Sequence, residues 1–340
     1  MVDGPLPTVR AARGVVLGLL LGDAVGAAAG RLPPSGPILA GAGGQLACWT
    51  VEGLIRAHVR GAHRGITSPA GLVFAAYGRW ARLRGELPGS GPLADGWLAA
   101  VPALAQRRGA APATLAAVRA GRIGTVAAPV SRSVGPHAVT RTLPAGLCSW
   151  WNGPAYLAAE LAATTHAPAA VTAAAQGAEL VAALVLGESI DAAVAAAEAA
   201  AVRLGLPPSD VDLGRAIALA RTGVAEADIV RGLALDATST SALTGGVYVA
   251  AATGPAGIRD ALLLAASAGD GGHAAAVAGA LLGAVHGPDR LPLDWLARLE
   301  LVWPGDTIAR DLVRQLTENP SGTEYEPPTD PDWWARYPGG

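Results

Sequence analysis

Residues 267–287 read SAGDGGHAAAVAGALLGAVHG. A Gly-rich turn carrying one carboxylate, Asp270, and one imidazole, His273, runs into a segment whose side chains are nearly all small or aliphatic. Small side chains let helix backbones approach closely, so the pattern predicts a helix inside a bundle with the turn at its N-terminus. A cation or a phosphate could sit at such a turn, because helix N-termini carry partial positive charge and the turn adds a carboxylate. The plainer reading is a buried helix behind a Gly-rich turn.

The opening of the chain has the same character. Residues 9–29 predict a helix with Gly14, Gly18, Gly22 and Gly26 spaced four apart, a smooth groove for a neighbouring helix. Asp23 lies beside that stripe, where a carboxylate must be hydrogen-bonded or paired, either as a packing-site acid or in a polar pocket. Further helices are expected at 45–60, 69–83, 95–107, 112–120, 156–165, 168–186, 190–204, 213–222, 225–234, 240–252, 257–268, 295–299 and 306–316. Residues 31–44 form a Pro/Gly loop, and residues 121–146 a long irregular segment of the kind that is often functional.

Composition agrees with an all-α fold. Of the 340 residues 51% are hydrophobic but only 4% aromatic, so the core must be built from Ala, Val and Leu. No linker interrupts residues 1–316, which read as one compact helical domain. Residues 317–340 are a polar, Pro-rich tail whose Trp333, Trp334 and Tyr337 are expected to dock on its surface. A net charge of -2 without a basic run argues against nucleic acid, and no apolar stretch at the N-terminus is long enough to span a bilayer, so a cytoplasmic protein is expected. All 25 basic residues are Arg, which reads as the coding bias of a GC-rich bacterial genome. Cys48 and Cys148 are too few for a disulfide framework and read as reduced core residues.

With these landmarks in place the chain resembles the ADP-ribosylglycohydrolase family along nearly its whole length. Gly22, Asp23, Ala24 and Gly26 match the GDA-G signature of the family's opening helix, and residues 45–57 stand at its second helix. Arg141 and Pro144 resemble the close of its central loop, Thr165, His166 and Pro168 its Thr-His helix junction, and residues 269–287 its metal turn and closing helix. The resemblance implies an all-α hydrolase that cleaves the bond between ADP-ribose and an acceptor with two Mg²⁺ ions. Those ions sit on an Asp-Asp-Thr turn before the second helix and an Asp-Thr-Asp-Thr turn before the closing one, as suits a hard cation.

Against that pattern, Gly41, Ala42, Gly43 and Gly44 stand at the first turn, and Asp270 is followed by Gly271, Gly272 and His273 at the second. In the central loop only a serine and one glycine of the usual motif remain, within residues 131–137. Asp270 is thus the one obvious ligand, as residual metal site or catalytic base, for two ions that each need carboxylates of their own. The expectation is a non-catalytic relative with no cofactor, or Mg²⁺ only in a rebuilt site, that binds ADP-ribose or a nucleotide-like molecule or partners an active homologous protein. Its ligand contacts would come from Gly43, Gly44, Gln45, Ser133, Gly135, His137, Arg141, Gly269, Gly271, Gly272 and His273. Two other readings are kept: a divergent hydrolase of an ADP-ribosyl N- or O-glycosidic bond, and a scaffold that uses its tail. A Zn²⁺ or Fe²⁺ site from His137, Asp270 and His273 is a sharper variant. The structural readings beside these are a helix-junction His166, an Arg141 paired with an internal acid, and a Cys48 that is simply core.

Overall fold

Helix Val9–Ala27 and helix His273–His286 lie antiparallel with their backbones touching. A Cβ on Gly14, Gly18, Gly22 or Gly26 would overlap the carbonyl of Gly283, Gly279, Ala275 or Gly272 in turn. The two small-residue stripes of the sequence are therefore each other's partners. This seam sits at the centre of the computed structural model, which describes residues 5–88, 95–223 and 226–339.

Around the seam the remaining helices form an all-α bundle. Helix Val302–Thr317 and helix Ser239–Ala251 flank it, and helix Ala42–Arg64 with helix Pro69–Leu83 builds one side. Helices Pro154–Ala163, Pro168–Val185 and Ile190–Arg203 build the other. Among the described residues there is no strand, only a single parallel bridge between Ile38 and Leu299. The core is Ala, Leu and Val, with Trp49, Trp80, Trp333, Tyr77, Tyr248 and Tyr337 as its large buried rings. Cys48 and Cys148 are unpaired and buried, and burial pushes both thiols up to about 12. One helix, Pro168–Val185, is long and apolar enough to cross a membrane, and 67% of it is buried inside the bundle.

Three expectations change. Residues 95–107 are not one helix but a 3₁₀ turn, Trp97–Ala100, and a short helix, Pro102–Ala105. Pro102 has no N–H to donate to the preceding turn and so starts a new helix instead of continuing one. The irregular segment ends earlier than 146, because helix His137–Thr140 and the 3₁₀ turn Leu143–Leu147 order its second half. The tail does not merely rest on the surface. Trp333 and Tyr337 are buried in the main core, with Tyr337 Oη donating to Asp311 at 2.6 Å and Arg336 bonding the same carboxylate at 2.7 Å. Salt bridge Arg314–Asp330 at 2.8 Å fixes the approach. Asp311 and Arg314 of helix Val302–Thr317 hold the tail by these polar contacts, and the Arg314 guanidinium also lies over the Trp333 ring at 5.0 Å.

Candidate functional site

Antiparallel packing along the Gly seam brings the end of the opening helix to the start of the closing one. Asp23, in the last turns of the opening helix, is thereby placed against the first turn of the second helix. That helix has no capping side chain of its own at Gly41. Asp23 supplies the cap from a distance: its Oδ2 accepts from the Gly41 amide at 2.5 Å, and the Gly44 amide bonds it as well. A Cβ on Gly43 would stand 2.5 Å from Asp23 Oδ1 and one on Gly44 2.8 Å from Oδ2, so the turn closes on the carboxylate because it carries no side chains.

Asp270 does the same for the closing helix. Its two oxygens accept from the amides of Gly272 at 2.8 Å and Ala274 at 2.5 Å, and the side chain is fully buried. Gly271 and Gly272 both hold positive φ, +79° and +86°, which lets the chain turn back over the carboxylate. Burial pushes both acids up to about 6, with the helix amides pulling the other way.

Two imidazoles complete the floor. His137 opens its short helix, and its Nε2 lies 3.0 Å from the carbonyl of Ala110. A carbonyl only accepts, so the proton is assigned to Nε2, and Nδ1 is left as a bare lone pair without a partner. The ring meets His273 edge to face at 5.1 Å. Burial lowers His137 to about 3, helped by the neighbouring His273, and lowers His273 to about 4, so both rings are neutral at neutral pH.

These residues face a cleft of about 500 Å³ lined by Asp23, Gly41, Gly43, His137, Gly271, Gly272 and His273. Its opposite wall is apolar, formed by Leu32, Pro33, Pro37 and Leu39 with Ala24, Ala27 and Ala28. That wall is pinned by the Ile38–Leu299 bridge and by Arg298, which donates to the carbonyls of Pro33 and Gly36. Arg108 is the one arginine among the cleft-lining residues, and Glu300 holds its guanidinium at 3.1 Å.

Of the residues expected to bind ligand, Gly43, His137, Gly271, Gly272 and His273 meet in this cleft. Ser133 and Gly135 line a neighbouring cavity of about 250 Å³, together with His166 and Thr114, on the far side of the His137–His273 pair. Gly44 packs on Asp23, and Gly269 packs on the backbone of Leu235. Gln45 and Arg141 are corrected to internal braces. Gln45 is buried, donates to the carbonyls of Ala103 and Gln106, and accepts from Trp80. Arg141 is wholly buried on Thr114, Thr165 and the Leu161 carbonyl, over the ring of Tyr77, and among the described residues no acid pairs with it. His166 is buried at the helix junction, and its ring bonds the Thr165 hydroxyl at 2.7 Å rather than a loop carbonyl. The sequence reading missed the apolar wall and Arg108, although the Pro/Gly loop at 31–44 was the signal that pointed there.

The pKa directions give a test. Asp23 is raised from 3.8 to about 6, so its acid form suits the fold, and its contribution to stability is complete below 3.8 and lost as pH rises towards 6. His58, His137 and His273 fall from 6.5 to about 4, 3 and 4, so theirs is present above 6.5 and lost on acidification. Asp270, raised like Asp23 to about 6, acts in the same direction as Asp23, but the histidines outnumber the two acids between those limits, and the protein is expected to lose stability as pH falls. Asp23→Asn removes an opposing contribution, so its urea midpoint should fall more steeply over that interval, by about one proton in the linkage slope. Equal slopes for the two proteins would contradict a buried, high-pKa Asp23.

Residues 6–325 match the family model of ADP-ribosylglycohydrolase. The chain belongs to the ADP-ribosylglycohydrolase family. A solved structure, an "ADP-ribosylglycohydrolase-related protein complex", superposes with a TM-score of 0.57 over 90% of this chain and 98% of the other at 21% identity, which supports the shared fold. A comparison with curated proteins gave no match.

The ADP-ribosylglycohydrolase resemblance implies a pair of Mg²⁺ ions, and the residues present do not fit them. Mg²⁺ takes oxygen ligands, commonly one or two carboxylates with waters. The first turn offers no side-chain oxygen, Asp23 and Asp270 are engaged with helix amides, and the second turn adds only glycines and an imidazole. Among the described residues no three His, Cys, Asp or Glu side chains come together as metal ligands, so the Zn²⁺ or Fe²⁺ triad of His137, Asp270 and His273 is not formed. The reason is local: the Asp270 carboxylate is turned back onto its own helix.

Proposed function

We propose that this ADP-ribosylglycohydrolase-family protein binds a small organic ligand, ADP-ribose or a related nucleotide-type molecule, in the cleft without a magnesium pair and without hydrolysing it. The observation that carries the reading is the donor set of the two turns: Gly41, Ala42, Gly43 and Gly44 offer no side-chain oxygen, and Asp270, the one acid of the second turn, has both oxygens bonded to helix amides. The cleft, of about 500 Å³, falls within the range of about 300–1,000 Å³ typical of small-molecule pockets. Leu32 and Leu39 offer an apolar wall for a base or sugar, and Arg108 at the rim can exchange Glu300 for a diphosphate.

The hydrolase alternative would need Asp270 as base, yet Asp270 is fully buried with both oxygens already accepting hydrogen bonds. A small molecule in the cytoplasm, rather than a nucleic acid or a membrane, is the partner in this reading, and an active homologous protein is a further one. Calorimetric titration with ADP-ribose tests it. Saturable binding at or below millimolar concentration is the expected result, and the absence of any heat of binding there ends the ligand reading.

A further inference from the structure

The first half of the irregular segment at 121–146 takes no part in the cleft. It lines a second cavity instead, of about 470 Å³, which shares no lining residue with the first. Gly124 anchors the segment there: its amide donates to the Thr164 carbonyl at 3.1 Å, and a Cβ on it would lie 2.3 Å from the carbonyl oxygen of Ala163. Thr125 and Ala128 then exchange backbone hydrogen bonds at 3.1 and 3.2 Å, which closes the turn. The protein thus holds this wall by its own bonds.

Most of the wall is apolar. Ile123 and Val126 come from the segment, Ala159 from helix Pro154–Ala163, and Leu204 and Leu206 from the chain just after helix Ile190–Arg203. Ile123 is 47% exposed, apolar surface that an occupant would take out of water. Against it stands one charge. Glu160 is the only charged side chain in the lining, and its Oε2 accepts from Trp151 Nε1 at 2.7 Å while its Oε1 accepts from the Tyr156 hydroxyl at 3.1 Å. Two neutral donors therefore orient the carboxylate without compensating its charge. Among the described residues no arginine or histidine pairs with it: Arg122 and Arg203, beside Ile123 and Leu204 in the chain, lie outside the lining, and Arg203 faces Glu179 at 4.0 Å.

The chemistry of the occupant follows. The Ser68 and Thr125 hydroxyl oxygens already accept from the backbone amides of Gly71 and Ala128, whereas each Glu160 oxygen keeps a further lone pair to offer. An anion would meet like charge and no cation here. A wholly apolar molecule would cover the carboxylate without pairing it, which costs free energy, while a protonated nitrogen would pair it by charge-assisted hydrogen bonds. Apolar walls with a few placed polar groups and a volume within about 300–1,000 Å³ are the usual form of a small-molecule site.

We propose that this second cavity binds a small amine, with an apolar body of about the size of a phenyl ring against Ile123, Leu204 and Leu206 and one protonated nitrogen on Glu160. The site is separate from the cleft and does not depend on the reading given to it.

Calorimetric titration of the full chain with 2-phenylethylammonium chloride tests the proposal. The controls are 3-phenylpropionate and 2-phenylethanol, which carry the same ring on an anionic and a neutral head. Saturable binding at or below millimolar concentration is expected for the ammonium, about tenfold or more tighter than for either control. Glu160→Gln, which keeps the size and one acceptor oxygen but removes the charge, should weaken it about tenfold or more. Ile123→Ser, at an exposed position where the fold has little to lose, should weaken it several-fold, and this variant decides the matter if Glu160→Gln does not fold. No saturable binding of the ammonium, equal binding of either control, or unchanged affinity in either folded variant would overturn the proposal. Saturating ADP-ribose should leave the amine isotherm unchanged, and competition between the two would place the amine in the cleft and overturn it as well. A protein that binds the amine but not ADP-ribose keeps this site and loses the cleft reading.

Discussion

Gly18→Val is expected to destabilise the protein by more than about 3 kcal/mol, and in practice to abolish its folding at ordinary temperatures. Gly18 faces Gly279, and the atom that an added Cβ would strike first is a backbone carbonyl oxygen, with the carbonyl carbon 2.8 Å away. A side chain can change rotamer to make room, but a helix backbone in a close-packed seam must move as a unit. The clash recurs at Gly14, Gly22 and Gly26, so relief at one point would open the seam at the next. Gly61→Ala is the control. Gly61 lies in the second helix, where a Cβ would meet only the Thr67 side chain at 3.4 Å, and the change should stabilise by up to about 1 kcal/mol through helix propensity. Urea denaturation of both variants checks this pair, and a Gly18→Val protein as stable as the parent would refute the seam.

Glu52→Gln is expected to be almost as damaging, at about 3–5 kcal/mol. Glu52 is 0% exposed and pairs with two guanidinium groups, Arg56 on the next turn of its own helix and Arg79 at 2.5 Å from the neighbouring helix. Burial already pulls Arg79 below its usual range, with Glu52 opposing that pull. Neutralising Glu52 leaves two buried cations, with only the half-exposed Asp95 near them among the described residues, 2.7 Å from Arg56. Replacing all three charged residues together by apolar side chains should cost far less than the single change, because desolvation is then removed along with attraction. A loss below about 1 kcal/mol for Glu52→Gln alone would mean that the cluster is wetter than its burial implies.

The Gly stripes, the all-α class and several helix starts were legible because they are local. Pro69 and Pro112 stand at the first position of their helices and mark those boundaries to the residue. The stripe at Gly14, Gly18, Gly22 and Gly26 announced a close helix contact. Its partner, at the far end of the chain in residues 272–283, could not be read from either segment alone. The same limit governs the site. Asp23 was visible as an acid that must be satisfied, but its bond to Gly41 crosses from one helix to the start of another. Arg141 matches a family landmark that implies a ligand contact, yet its partners are two threonines and the Leu161 carbonyl on other segments, which no charge pattern reveals. The tail misled for a related reason: polar and Pro-rich residues surround Trp333 and Tyr337, and only the packed bundle shows the core that receives them.

We propose that the two turns at which the resemblance places metal are instead closed on capping carboxylates, Asp23 and Asp270, and that the cleft beside them binds its ligand without metal. Paired calorimetric titrations with ADP-ribose, one in EDTA and one in excess Mg²⁺, test it most directly. Equal affinity in both buffers, with no heat from Mg²⁺ added to the protein alone, is the predicted result. Binding that appears only with Mg²⁺, or a saturable Mg²⁺ isotherm in the absence of ligand, would contradict it.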